Sequence, residues 1–61
     1  MFKELDVVRT IVEKIMPVES IGTIVSIHNL HHICEVEFSD NQGIAIAIET
    51  YDFTELEACK G

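Results

Sequence analysis

From Ile33 to Ser39 the chain alternates residue by residue: Cys34, Val36 and Phe38 fall on one side, Glu35 and Glu37 on the other. A period of two marks a strand in an antiparallel sheet with one face buried and one wet. Asp40-Asn41-Gln42-Gly43 follows. Its turn residues predict a hairpin, with Gly43 available for positive φ. Ile44, Ile46 and Ile48 then alternate with Ala45 and Ala47. Size assigns the isoleucines to the core and the alanines to a far side that permits close approach, which predicts a central strand. Upstream, Ile24 to His28 reads as a strand and Asn29 to His31 as a connection. Downstream, Thr50 to Thr54 reads as a turn or a single helical turn, and Leu56, Ala58 and Cys59 as a short last strand.

The first sixteen residues are ambiguous on pattern alone. Phe2, Leu5, Val8, Val12 and Ile15 recur at the steps of three and four that suit a helix face. Val7, Val8, Thr10, Ile11 and Val12 form a β-branched cluster that suits a strand. As a strand, Val8, Thr10 and Val12 point one way and Val7, Arg9 and Ile11 the other. Pro17 breaks either element, because it lacks an N–H and restricts Met16 to extended backbone.

Three clear strands, a fourth near the start and a short fifth at the end fit within 61 residues. So short a chain buries only about 60% of the surface its unfolded form exposes. A small sheet exposes its edges unless it curls. The economical solution is all-β: one domain over residues 1–61, a five-stranded, strongly bent SH3-like barrel.

Charge narrows the choice of partner. Eleven Asp and Glu face four Lys and Arg, for a formal −7. The first fourteen residues balance, so the excess of acid lies later in the chain. Such a surface repels phosphate backbones and attracts basic proteins. Two cysteines 25 positions apart, outside any CxxC spacing, give no disulfide framework. The first apolar run is interrupted by Lys3, Glu4, Asp6 and Arg9, unlike a signal peptide. No run approaches the roughly 20 apolar residues of a membrane span. A reduced, cytoplasmic protein is the expectation.

Phe2-Lys3-Glu4-Leu5-Asp6-Val7-Val8, then Pro17, then Ile21-Gly22-Thr23-Ile24-Val25, then Cys34-Glu35-Val36-Glu37-Phe38 and the Ile44 to Ile48 run together resemble a family of very short bacterial proteins catalogued as a domain of unknown function. That family opens on F-x-E-L-D-x-V and is similar to SH3-like barrels, among them the small barrel of the nitrile hydratase β-subunit. The resemblance implies that the first segment is a strand followed by a long arching loop. Members of the family are encoded beside a second short protein of toxin type. The resemblance therefore implies an antitoxin or immunity-type role. Arg9 and Thr10 depart from its more apolar pattern, and the loop around Pro17 to Ser20 is shortened. The family supplies no catalytic residues that map onto this chain.

His28, His31, His32 and Cys34 fall close together in sequence, and imidazole and thiolate are zinc ligands. Four ligands in one hairpin rarely reach tetrahedral geometry, so a polar turn beside a buried thiol is the preferred reading, with no metal and no cofactor. No phosphate loop or nucleophile–base pattern is present, and no catalytic residue is assigned. Glu35, Glu37 and Glu49 are expected to share an outward face. Tyr51 and Asp52 are expected at the surface, with Phe53 turned towards the core. These five, Glu35, Glu37, Glu49, Tyr51 and Asp52, are the candidate partner-binding residues. The expected function is a non-catalytic protein-binding module that neutralises a basic partner, the product of an adjacent gene. Alternatives are a nucleic-acid-binding small barrel, which the charge opposes, and a His-rich metal-binding protein. Neither nucleic acid nor membrane is expected as a partner. A homodimer is compatible with the short exposed edges of a small barrel.

Overall fold

A computed structural model describes residues 2–28 and 32–59. The chain is all-β: β1 (Val7–Thr10), β2 (Ile21–Ile27), β3 (Ile33–Ser39), β4 (Ala45–Asp52), a 3₁₀ turn η1 (Phe53–Glu55) and β5 (Leu56–Ala58). All neighbours are antiparallel, in the order β4-β3-β2-β1-β5. The five-stranded, all-β reading therefore stands. The sheet is open: among the described residues no ladder joins β4 to β5. The expected connection Asn29 to His31 lies outside the described residues.

The opening segment resolves to strand, with the two faces that alternation predicts. Val8 and Thr10 are buried and Val12 packs against the core, while Val7 and Ile11 are exposed. The β-branched cluster outweighs the helical spacing because β1 has ladder partners on both sides, β2 and β5. The strand stops at Thr10, and residues 11–20 arch away. Thr10 pins both feet of this arch. Its N–H donates to Ser20 O (2.9 Å), its hydroxyl donates to Pro17 O (3.0 Å), and Ser20 N–H donates back to that hydroxyl (3.0 Å). A fully buried polar residue is thus fully partnered, as burial requires.

The β3–β4 hairpin turns as expected. Gly43 has φ +81° and its N–H donates to Asp40 O (3.0 Å). The Asp40 carboxylate accepts from the N–H groups of Gln42 (2.8 Å) and Ile44 (3.0 Å). Next to this turn the register skips: Phe38 pairs with Ala47, but Ser39 pairs with Ala45. Ile46 is the extra residue of a β-bulge.

β4 overturns the expectation for the isoleucines. It is an edge strand, not a central one. Ile44, Ile46 and Ile48 are 57–59% exposed. The inward residues are instead Ala47, Glu49 and Tyr51, opposite Phe38, Val36 and Cys34. A slip of one residue moves a whole strand's side chains to the other face. The bulge and the four-residue turn fix the register in which Tyr51 supplies the core volume. The core is Val8, Ile24, Cys34, Val36, Phe38, Tyr51 and Leu56. Gly22 lies among them because a Cβ there would stand 2.6 Å from Val36 Cγ1 and 2.9 Å from Glu37 O.

Candidate interaction surface

The outer face of the sheet can be read along its ladders. One row crosses four strands: Ile48, Glu37, Thr23, Val7. The next runs Thr50, Glu35, Ser26. Towards the far edge, Arg9 stands between Ile21 and Glu57 and is paired to the Glu57 carboxylate. That carboxylate raises the Arg9 pKa further by accepting its hydrogen bond. The face is thus mixed: Ile48, Val7 and Ile21 stand among Thr50, Thr23 and Ser26, with Glu35 and Glu37 set between them. A mixed face of this kind has about the composition of a non-obligate protein-docking surface.

The five candidate residues do not converge there. Glu35 and Glu37 take the outer face as expected, half-buried. Glu49 does not join them: it is on the inner face, opposite Val36. Its Oε1 accepts from the Tyr51 hydroxyl (3.2 Å), and its Oε2 is buried with no hydrogen-bond partner. Tyr51 is fully buried, contrary to its expected surface position. Burial first, and then the Glu49 charge, push its phenol up to about 12. Phe53 is the partly buried one of the two, its ring edge-on to Phe2 at 5.1 Å. Phe53 packs against the core as expected, and Tyr51 joins it there because it is even with Ala47 and Glu49 in the alternation.

Asp52 works within the chain. It caps η1, accepting from Thr54 N–H (2.9 Å) and the Thr54 hydroxyl (3.0 Å), while Glu55 accepts Asp52 N–H (2.9 Å) to complete a capping box. The bonds from Thr54, with His32 nearby, hold the Asp52 carboxyl below its ordinary range. The Lys14 ammonium does the same for Glu55, from 2.9 Å.

Lys14 was not singled out by any sequence pattern. From the arch it reaches Glu55, donates to Thr50 O (3.2 Å) and lies 4.6 Å over the Tyr51 ring. It thereby ties the arch to the open end of β4. No local spacing marks such a role, because its partners lie 36 and more residues away.

Of the imidazole cluster, His28 and His32 lie near carboxylates: Glu35 at 3.9 Å and Asp52 at 3.4 Å. Cys34 is buried, which raises its thiol pKa. His31 lies outside the described residues. Among the described residues no group of three or more His, Cys, Asp or Glu is placed to hold a metal ion, and no pocket opens. No described helix is long and apolar enough to cross a membrane.

Comparison of the chain with protein-family models, curated proteins and solved structures gives no match.

Proposed function

We propose that the chain is a non-catalytic binding module that takes a basic protein partner on the outer face of its sheet, in the manner of an antitoxin or immunity protein. One observation carries the reading. The described cations Lys3, Arg9 and Lys14 are each paired with one of the chain's own carboxylates, Asp6, Glu57 and Glu55. Meanwhile Glu37 has no cation within ion-pair distance among the described residues, and it stands on the outer face between exposed Ile48 and half-buried Thr23, with exposed Val7 beyond. Cations already neutralised at home offer little to a phosphate backbone. A carboxylate flanked by apolar surface suits a Lys or Arg whose stem packs while its head pairs. Two free thiols, Cys34 and Cys59, support a reducing cytoplasm as the compartment.

The test is coexpression and calorimetry with the product of the adjacent gene. Binding at low salt that weakens as salt rises is expected, because complementary charge steers association. Charge reversal at Glu35 and Glu37 together should slow association about tenfold or more. No heat of binding at low salt, or binding indifferent to the double reversal, would remove the reading. A gel shift with duplex or single-stranded nucleic acid at the same low salt would replace it with the nucleic-acid alternative.

A further inference from the structure

We infer that, given the basic-partner reading on which this rests, Leu5 is the apolar anchor of that contact: a side chain presented by a fixed turn to a pocket that the partner rims with Lys or Arg.

Leu5 is unfavourable to the free chain in two ways. It has φ +74°, in the left-handed region where a Cβ crowds the following carbonyl oxygen. It is also 77% exposed, and it belongs neither to the core nor to the residues packed against it. Exposure alone means little: Ile15 is more exposed still, on backbone of negative φ. A positive φ alone can serve the fold: Glu19, with φ +70°, is polar, and its N–H closes the arch on Thr10 O (2.8 Å). Among the described residues Leu5 alone combines an exposed apolar side chain with left-handed backbone.

The turn itself does not call for leucine. Lys3-Glu4-Leu5-Asp6 is closed by Asp6 N–H, which donates to Lys3 O (3.1 Å), and Leu5 is its third residue. Glycine takes a positive φ at that position without strain. With its side chain outside the core, leucine adds no packing in exchange. A residue that breaks a local preference with no compensation inside the chain points to a role outside it.

The same turn is firmly held. Lys3 N–H donates to Asp6 Oδ2 (3.0 Å), and Lys3 Nζ lies 3.4 Å from Asp6 Oδ1. Two backbone bonds fasten it to β2: Leu5 N–H donates to Ile24 O (2.8 Å) and Ile24 N–H to Asp6 O (2.9 Å). Little backbone freedom is left to lose on binding, which favours affinity.

Charge identifies the occupant. Lys3 is already paired with Asp6, whereas exposed Glu4, next to Leu5, has no cation within ion-pair distance among the described residues. Two residues on, Val7 opens the outer-face row that passes through Thr23 to Glu37, the other unpaired carboxylate. Two strand spacings, about 10 Å, separate Val7 from Glu37. The complement of a leucine set beside carboxylates is an apolar pocket with cations on its rim. A second copy of this acidic chain, or a phosphate backbone, brings like charge to the same place.

Binding kinetics and calorimetry of the full chain with the product of the adjacent gene test this. Leu5→Gly and Leu5→Asn both tolerate a positive φ and remove the apolar side chain. Each should keep the circular dichroism of the fold and bind about tenfold or more weakly, as loss of a buried leucine implies. The loss should lie in faster dissociation, whereas charge reversal at Glu35 and Glu37 slows association. Leu5→Met should bind within about threefold of wild type, because it keeps the apolar volume. In the free chain, Leu5→Gly should unfold at a urea midpoint equal to or above that of wild type. Wild-type affinity in Leu5→Gly and Leu5→Asn, a loss in Leu5→Met as deep as theirs, or a midpoint for Leu5→Gly well below wild type would overturn the inference and leave the basic-partner reading standing. Absence of wild-type binding at low salt would remove both.

Discussion

Gly22→Ala probes the close approach of β2 to β3. Gly22 sits in an inner-face row between Phe38 and Val8. A methyl group there meets Val36 Cγ1 at 2.6 Å, Glu37 O at 2.9 Å and Phe38 Cδ1 at 3.0 Å. Overpacking of this kind costs about 1–3 kcal/mol. Alanine recovers about 0.4–1 kcal/mol by restricting the unfolded chain. The net loss is about 1–2 kcal/mol, against a total of roughly 3–9 kcal/mol for a chain of this length. In urea, with a slope of about 1 kcal/mol per molar, the unfolding midpoint should fall by about 1–2 M at unchanged slope. The double variant with Val36→Ala sharpens the test. Val36→Ala alone costs about 2 kcal/mol in lost burial. It also removes the atom that the new methyl group strikes first. The pair should therefore cost about 0.5–1 kcal/mol less than the sum of the singles, with Glu37 O and Phe38 retaining the rest of the clash. A midpoint at or above wild type for Gly22→Ala, or strict additivity in the pair, would refute the packing described for β2 on β3.

Glu49→Val in a Tyr51→Phe background should raise the melting temperature, with a gain of about 1 kcal/mol over Tyr51→Phe alone, because it removes the unpartnered buried oxygen without leaving the Tyr51 hydroxyl unpaired. It should also increase self-association by removing an inward charge from an edge strand, and light scattering alongside calorimetry reads both. Lys14→Met keeps the stem over Tyr51 but loses the Glu55 pair and the Thr50 bond; a loss of no more than about 1 kcal/mol is expected at this exposure, with faster hydrogen exchange in residues 11–20. Asp52 and Glu55 both have lowered folded values, so their contribution is complete above their ordinary values of 3.8 and 4.5 and is lost as pH falls through the lower folded ones. Tyr51 is raised, so its contribution is complete below 10 and is lost as pH rises from there towards about 12. Unfolding midpoints at stepped pH should decline at both ends, and Tyr51→Phe should reduce the alkaline decline, leaving the part that belongs to the raised Cys34 thiol.

The sequence made β3 and its hairpin legible because each carries redundant signals. Alternation of Cys34, Val36 and Phe38 against two glutamates leaves one choice of face, and Asp40 to Gly43 has the chemistry of a turn. β1 needed more: helical and strand patterns coexist in residues 2–15, and only pairing on both sides decides between them. The buried face of β4 is illegible in the sequence for a definite reason. A period of two says that there are two faces but not which one is buried. Large side chains make Ile44, Ile46 and Ile48 the natural core row, yet the same alternation carries Thr50 and Asp52 with them. The competing row of Ala47, Glu49 and Tyr51 offers a single large aromatic and a carboxylate. The bulge at Ile46 settles the contest, and nothing local in the sequence announces it. Every misplaced candidate follows from that one register. Glu49 and Tyr51 moved inward with β4, while Glu35 and Glu37, assigned from β3, stayed where they were expected. Lys14 and Thr10, which hold the arch, were illegible because their bonds join segments distant in sequence or depend on a loop's final path.

Cross-strand Hα–Hα NOEs between β3 and β4 test the central structural claim most directly, since they read register without reference to oligomeric state. Glu37 with Ile48 and Glu35 with Thr50 are the non-hydrogen-bonded pairs, with Cα atoms about 4.5 Å apart, and each should give a strong Hα–Hα peak. Peaks joining Glu37 to Glu49, or Glu35 to Tyr51, would return the isoleucines to the interior and contradict the outer-face docking surface.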